Sequence, residues 1–247
     1  MLSHDLVFHM AANSDISIGG KITDTDLKLG TIVTYYVLEA MRLAKIKAIV
    51  FASTSAIYGE VRHFPTSEDY GPLFPISLYG ASKLAGEGLI SAYCHNYGMK
   101  AWIYRFANVV GPNATHGIIF DFINKLKKNP KQLEILGDGK QRKPYLYVKD
   151  CVEGIIYGLT HAHQEVNYFN LTSRGATSAK EIAQGVTRAM GLKNVHFFYT
   201  GGARGWPGDV PQVRLDGTKM KRLGWKAKWD SPQAVHKAIG ELVDQLL

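Results

Sequence analysis

The chain has two cysteines, Cys94 and Cys151. Two thiols are too few for a disulfide framework and, by themselves, for a metal site. They are expected as buried or half-buried free thiols, and no bound metal is expected. No apolar run is long enough to span a bilayer, so no membrane partner is expected. The opening segment MLSHDLVFHMAANSD has no basic n-region, and Asp5 interrupts its short apolar stretch. It does not read as a secretory leader, and the expected compartment is the cytoplasm. There is no internal repeat and no low-complexity tract. Negative charge is the scarcer sign, and the formal net charge is +8. The basic residues cluster mildly at Lys125, Lys127, Lys128 and Lys131, and again at Lys219, Lys221, Arg222, Lys226 and Lys228. These clusters fall in helical patterns and lack the interleaved aromatics of a nucleic-acid surface. They read as solvated helix faces, and no nucleic-acid partner is expected.

What is present is ordinary for a globular protein: 46% hydrophobic and 20% charged residues in 247. That length suits one large domain, or one domain with a smaller lobe. Asp5–Ala12 reads as a buried strand ending in small residues. In Thr25–Ala44, Leu29, Ile32, Val33, Tyr36, Val37, Ala40 and Met41 recur at helical spacing. Ile46–Ala52 is a short apolar strand, and a loop rich in Pro and Gly follows over 59–75. Leu78–Tyr97 is a helix with Gly98 as its stop. Lys100–Phe106 is a third strand. Near-continuous apolar strands alternating with helices indicate a parallel α/β sheet covered on both faces. Further on, helices are expected over 117–128, 152–161, 178–190 and 231–247, the last with Ser231 as N-cap and Pro232 at its first position. Strands are expected over 133–136, 144–148, 167–171 and 195–199.

A doubly wound dinucleotide fold opens with a strand, a glycine-rich turn and a helix, with an acidic residue about 20 positions on. No such G-x-G-x-x-G or related turn occurs here; Gly19-Gly20, Gly86/Gly88 and Gly201-Gly202 do not follow strands in that way.

The strongest chemical signal is Tyr79-Gly80-Ala81-Ser82-Lys83 at the start of a helix. Residues four apart share a face. A phenol near pKa 10 is a poor base at neutral pH, and a nearby ammonium favours the phenolate. The pair could take a proton from a sugar hydroxyl. Alone, the spacing is equally that of a surface Tyr and a solvated Lys. Ser53, Thr54 and Ser55 add three hydroxyls at the end of a strand, where the active sites of parallel sheets lie. Alone, they are equally a loop capping its own backbone.

Taken together, DLVFHMAA, STSAIYGE, YGASKLAGE, RFANVVGP and GDGKQRKPYLYVKD resemble the extended short-chain dehydrogenase/reductase superfamily, nearest to the UDP-glucose (galactose) 4-epimerases. The resemblance runs from Asp5 to the C-terminus, and only the family's first strands, with the glycine-rich βαβ unit, have no counterpart. It implies an α/β fold: a partial Rossmann-type parallel sheet over 1–110 and a smaller, mainly substrate-binding lobe over 111–247, with about 146–172 returning to the sheet. It implies NAD as cofactor and a nucleotide-diphosphate sugar as substrate. Tyr79 would be the base, Lys83 its partner and a ligand of the nicotinamide ribose, and Thr54 the catalytic hydroxyl. Ala11, Ala12, Ala52, Ser53 and Phe106 would line the cofactor. Ser55, Asn108, Lys143, Arg204 and Asp209 would bind substrate, with Lys143 where many members carry Arg and with Arg142 beside it. Arg pairs bidentately with phosphate whereas Lys is a point charge, so substrate orientation is the property this departure touches. His9 reads as a buried strand-end residue and Asp150 as a helix N-cap. Tyr145, Tyr147, Trp206, Trp225 and Trp229 read as core aromatics.

The activity implied is epimerisation at C4 through a 4-keto sugar. A 4,6-dehydratase would need acidic groups after Thr54, where Ser55-Ala56 stand; a decarboxylase, a simple dehydrogenase and an inactive nucleotide-sugar-binding remnant remain open. The family packs two helices per subunit into a four-helix interface, so a homodimer through 25–44 and 78–97 is expected. Without the glycine-rich turn, the chain is expected to bind NAD weakly and to leave Asp5–Ala12 as an edge.

Overall fold

The computed structural model describes residues 4–13, 15–206 and 208–247. In chain order the elements are β1 (Leu6–His9), α1 (Ile16–Lys21), a π-helical turn (Leu27–Ile32), α2 (Val33–Ala44), β2 (Ala48–Thr54), a 3-10 turn (Ser55–Tyr58), α3 (Leu78–Tyr97), β3 (Lys100–Phe106) and β4 (Asn108–Val110). There follow α4 (Ile118–Lys128), β5 (Gln132–Ile135), β6 (Arg142–Lys143), β7 (Tyr145–Tyr147), α5 (Val148–His161), β8 (Val166–Leu171), β9 (Thr177–Ser178), α6 (Ala179–Ala189), β10 (His196–Tyr199), α7 (Thr218–Leu223) and α8 (Ser231–Leu246). Contacts divide these into two compact units. The first holds 1–106, 154–171 and 215–225, and the second holds 107–153, 172–214 and 226–247.

In the first unit a parallel sheet runs in the order β1-β2-β3-β8. The register pairs His9 with Phe51, Thr54 with Phe106, and Phe106 with Leu171. The apolar runs AIVFAST and KAWIYRF form its two central strands because both of their faces are covered. On one face Leu38 and Met41 of α2, and Ile90 and Cys94 of α3, pack on Ile49, Phe51 and Ile103. Each large apolar side chain buried there contributes about 1.5–3 kcal/mol. The other face uses close approach: a Cβ on Gly158 would lie 2.5 Å from the Tyr104 hydroxyl, and one on Gly154 would lie 2.8 Å from Trp225. β1 pairs with β2 and is an edge strand among the described residues.

α3 begins where Ser77 Oγ accepts the Gly80 N–H, and Gly98 ends it in the left-handed region at φ 60°. The helix expected over Thr25–Ala44 is instead a π turn leading into α2. Gly30 of that turn packs against α3 so closely that a Cβ would lie 2.1 Å from Ser82 Oγ. A π turn widens the backbone locally, and this approach, made by residues 52 positions away in sequence, leaves no trace in the periodicity.

The second unit packs α4, α6 and α8 around Ile119, Phe122, Ile123, Leu133, Ile182 and Ile239. Small strand pairs supplement them: β5 with β10 and β4 with β7, both parallel, and β6 with β9, antiparallel. Two expected caps are corrected. The N-cap of α8 is Asp230, whose carboxylate accepts from Gln233 N while the Gln233 side chain accepts from Asp230 N. Ser231 is fully buried, and its hydroxyl accepts from Tyr145 N and pairs with Thr177. Helix α5 starts at Val148 rather than Val152. Asp150 therefore lies in its first turn, where the carboxylate accepts from Trp229 N, and is no cap. Both cysteines are free and buried. No helix among the described residues is long and apolar enough to cross a membrane, and no group of them could hold a metal ion.

Candidate active site

In the first unit, the first turn of α3 carries Tyr79, and the next turn carries Lys83. Lys83 is buried. Its Nζ donates to the Ala52 carbonyl at 2.6 Å and stands 4.7 Å from the centre of the Phe51 ring. It is 6.0 Å from the centre of the Tyr79 ring. Burial brings the Lys83 ammonium down to about 8. Burial pushes the Tyr79 phenol up; a hydrogen bond from Thr54 works the other way, and the charge of Asp26 adds to the rise. The expected lowering of the phenol by Lys83 is therefore absent from this structure: the ammonium spends one proton on a backbone carbonyl and lies off the phenol, so desolvation wins.

Thr54 is held in place by its own backbone. It ends β2 in extended conformation, and its Oγ1 accepts the Ala56 N–H at 3.1 Å as cap of the 3-10 turn. That leaves its hydroxyl proton for Tyr79. Ser55 follows, half-buried on the turn. Ser53 points elsewhere. It is 2% exposed, and its Oγ donates to Glu87 Oε1 at 2.5 Å. Glu87 is paired with Arg105, which also donates to the Tyr58 hydroxyl and the Glu68 carbonyl. Tyr58 in turn donates to Asn170. The structure thus commits the Ser53 hydroxyl to a buried polar network, which leaves its backbone to line a ligand. Sequence reasoning missed that network; the only available signal was the placement of charged Glu87 and Arg105 within apolar stretches. Ala11 and Ala12 follow β1, exposed and half-buried respectively, and Phe106 is half-buried at the end of β3.

His9, at the end of β1, lies beside this cluster. Its Nε2 is 2.9 Å from Thr34 Oγ1, and its ring centre is 5.4 Å from that of Phe51. Burial, followed by the charge of Lys83, brings its imidazole down to about 4.

The second unit carries its own polar cluster. Asn108 opens β4 opposite Tyr145 of β7, and its side chain hydrogen-bonds the Tyr145 phenol. Lys143 Nζ meets Asp209 Oδ1 at 2.5 Å, and Asp209 is 3% exposed. Asp209 Oδ2 accepts from Gly205 N, and its carbonyl accepts from Arg204 Nη1 at 2.8 Å. Trp206, expected in the core, is 37% exposed, with the Lys143 ammonium 5.1 Å from its ring centre. Asn108 and Tyr145 thus form one pair, and Lys143, Arg204 and Asp209 form one cluster. Arg142 turns away: it bonds Glu181 and the Ala176 carbonyl at the start of α6.

The donor set of the first unit fits the nicotinamide half of a dinucleotide. Lys83 keeps two of its three N–H donors for ribose hydroxyls after serving Ala52, and Tyr79 and Thr54 lie together at the ends of the strands where α/β sheets bind ligands.

The chain is similar to known proteins. Residues 2–171 match the model of the NAD dependent epimerase/dehydratase family. A UDP-glucose 4-epimerase of Mycolicibacterium smegmatis is 29% identical over 245 residues, covering 95% of this chain and 75% of its own. A crystal structure of a UDP-galactose 4-epimerase superposes with a TM-score of 0.89 at 35% identity, over 100% of this chain and 80% of the other. That of the Thermotoga maritima UDP-glucose 4-epimerase with UDP-glucose gives 0.86 at 29% identity, over 98% and 78%. This chain spans about three quarters of the length of these relatives. It belongs to the NAD dependent epimerase/dehydratase family.

Proposed function

We propose that the protein inverts C4 of a nucleotide-diphosphate sugar of the UDP-glucose/UDP-galactose type. The observation that carries the reading is the hydrogen bond between Thr54 and Tyr79, with the Lys83 ammonium one helical turn away on the Ala52 carbonyl. Thr54 and Tyr79 offer a fixed donor–acceptor pair to one sugar hydroxyl. Tyr79, as phenolate, takes the proton of the 4-hydroxyl, and Thr54 holds that oxygen in line. NAD, when bound, supplies a reversible acceptor for the electron pair of the C4–H bond. Lys83, protonated at neutral pH, holds the nicotinamide ribose. After the keto sugar has turned over, Tyr79 returns the proton to the oxygen at C4. Asn108, Lys143, Arg204 and Asp209 are the residues proposed to hold the diphosphate and its nucleoside. Lys143 answers one negative charge in Asp209 already, so it offers phosphate a shared cation and Arg204 supplies the fork.

A 4,6-elimination would need an acid after Thr54, and Ser55-Ala56 supply none. The assembly proposed is a homodimer through α2 and α3, whose outer faces expose Tyr36, Leu43 and Tyr97. The test is conversion of UDP-galactose to UDP-glucose by the purified chain with added NAD, read by a coupled dehydrogenase. The expected result is turnover that Tyr79→Phe abolishes while UDP still binds. Turnover unchanged in Tyr79→Phe refutes the assignment.

A further inference from the structure

One buried charge has no part in the chemistry above. Asp26, at the entry to the π turn, is 2% exposed. Its backbone carbonyl accepts from Ser82 Oγ at 2.7 Å, and Ser82 in turn accepts from Thr31 Oγ1 at 3.1 Å. Ser82 lies in α3 between Tyr79 and Lys83. The turn is therefore stitched to the stretch of helix that holds the pair. The carboxylate is only half satisfied. Oδ1 accepts from Asn13 Nδ2 at 3.0 Å, while Oδ2 has no hydrogen-bond partner among the described residues. The backbone of α1 closes over that oxygen, since a Cβ on Gly19 would stand 1.9 Å from it. A buried carboxylate oxygen without a donor is costly, and native structures keep few such groups without a reason.

We propose that Asp26 is a positioning and tuning residue for Tyr79, its under-compensated carboxylate opposing ionisation of the phenol until positive charge is brought beside it. The proposal rests on Tyr79 being the base. A like charge in a poorly solvated site disfavours a second one. The Asp26 charge accordingly acts on the phenol in the same sense as burial and against the Thr54 hydrogen bond. The surrounding groups are few. Thr54 faces Tyr79 from the end of β2, and Lys83 comes from α3 itself, 6.0 Å from the ring centre. His9, at the end of β1, is kept neutral at pH 7 by burial and then by the Lys83 charge, so it adds no charge of its own. Asn13 screens Asp26 from the segment before α1. Ionisation of the base is thereby made contingent on a cation, so an empty site holds a protonated tyrosine.

The test is the titration of Tyr79 in the ligand-free protein, followed by the Cζ resonance of 13C-labelled tyrosine and assigned by its loss in Tyr79→Phe. Asp26→Asn keeps the shape and an acceptor for Asn13 and removes the charge. The expected result is an ionisation constant raised by about tenfold. Asn13→Ala removes the donor that screens the carboxylate among the described residues, and the expected midpoint moves the other way. A Tyr79 titration unchanged in either folded variant overturns the proposal. The measurement needs no substrate and no turnover, so its failure is distinct from failure of the epimerase reading, which the sugar conversion assay decides.

Discussion

Acid should unfold this protein partly through His9, and the size of the effect follows from its surroundings. His9 is 4% exposed, hydrogen-bonded to Thr34 and close to the Phe51 ring, with the Lys83 ammonium acting on it. Burial first, then Lys83, lowers its pKa from 6.5 to about 4. The unfolded chain takes up this proton near pH 6.5; the folded chain refuses it until about pH 4. Between those values the unfolded state binds more protons, so stability falls as pH falls through the window. The full displacement corresponds to about 3 kcal/mol, of which about 2 kcal/mol is lost by pH 5. The assay is urea unfolding at pH 7.5 and at pH 5, on the wild type and on His9→Gln, which cannot acquire the charge. The wild type should lose about 2 kcal/mol more than the variant across that interval. Removing the second cause, in Lys83→Met, should return a smaller part of the loss. Equal losses in the wild type and His9→Gln would refute the reasoning, because the imidazole would then be taking its proton equally in both states.

Three further outcomes follow from the site and the surface. Lys83→Ala should lower turnover and raise the NAD concentration needed for half-maximal rate, because the donor proposed to hold the nicotinamide ribose is lost; unchanged kcat and unchanged NAD dependence count against that role. Light scattering at micromolar concentration should show a dimer, and Leu43→Glu on the exposed face of α2 should shift it to monomer; a monomeric wild type counts against the helix interface. Isothermal calorimetry of this chain with NAD should show weak binding, since the residues proposed for the cofactor reach only its nicotinamide half and no glycine-rich turn for the pyrophosphate follows a strand among the described residues; tight binding would sink that expectation.

Which parts of this architecture a sequence can display depends on the range of the interaction that makes them. β2, β3 and α3 were legible because a buried strand is an apolar run and a helix repeats at three and four residues; both are local properties. Tyr79 and Lys83 were legible as a pair on the same ground. The π turn was not, because it answers to Ser82, which approaches Gly30 across 52 positions. β4, β6 and β9 are two or three residues long and exist only by pairing with distant partners. The cap of α8 was misplaced by one residue because Ser231 and Asp230 are equally good capping residues locally. What decided between them was the need of Tyr145 N, 86 residues away, for an acceptor.

The same logic explains why the side-chain commitments around the proposed site could not be read from the sequence. Ser53 and Lys143 sit where ligand-binding residues are expected, yet each is engaged by a partner: Ser53 by Glu87, 34 positions on, and Lys143 by Asp209, 66 positions on. A hydroxyl or ammonium so engaged still contributes to a site, but by fixing its partner. Glu87, held between Ser53 and Arg105, anchors the strand end that presents Thr54; Asp209, held by Lys143 and Gly205 N, fixes the loop that presents Arg204. Such pairs are costly to bury and more costly to break, since removing one partner strands the other charge. The chain therefore places the groups proposed to react on local motifs, at the turn of α3 and the end of β2, and surrounds them with long-range polar pairs that the motifs do not reveal.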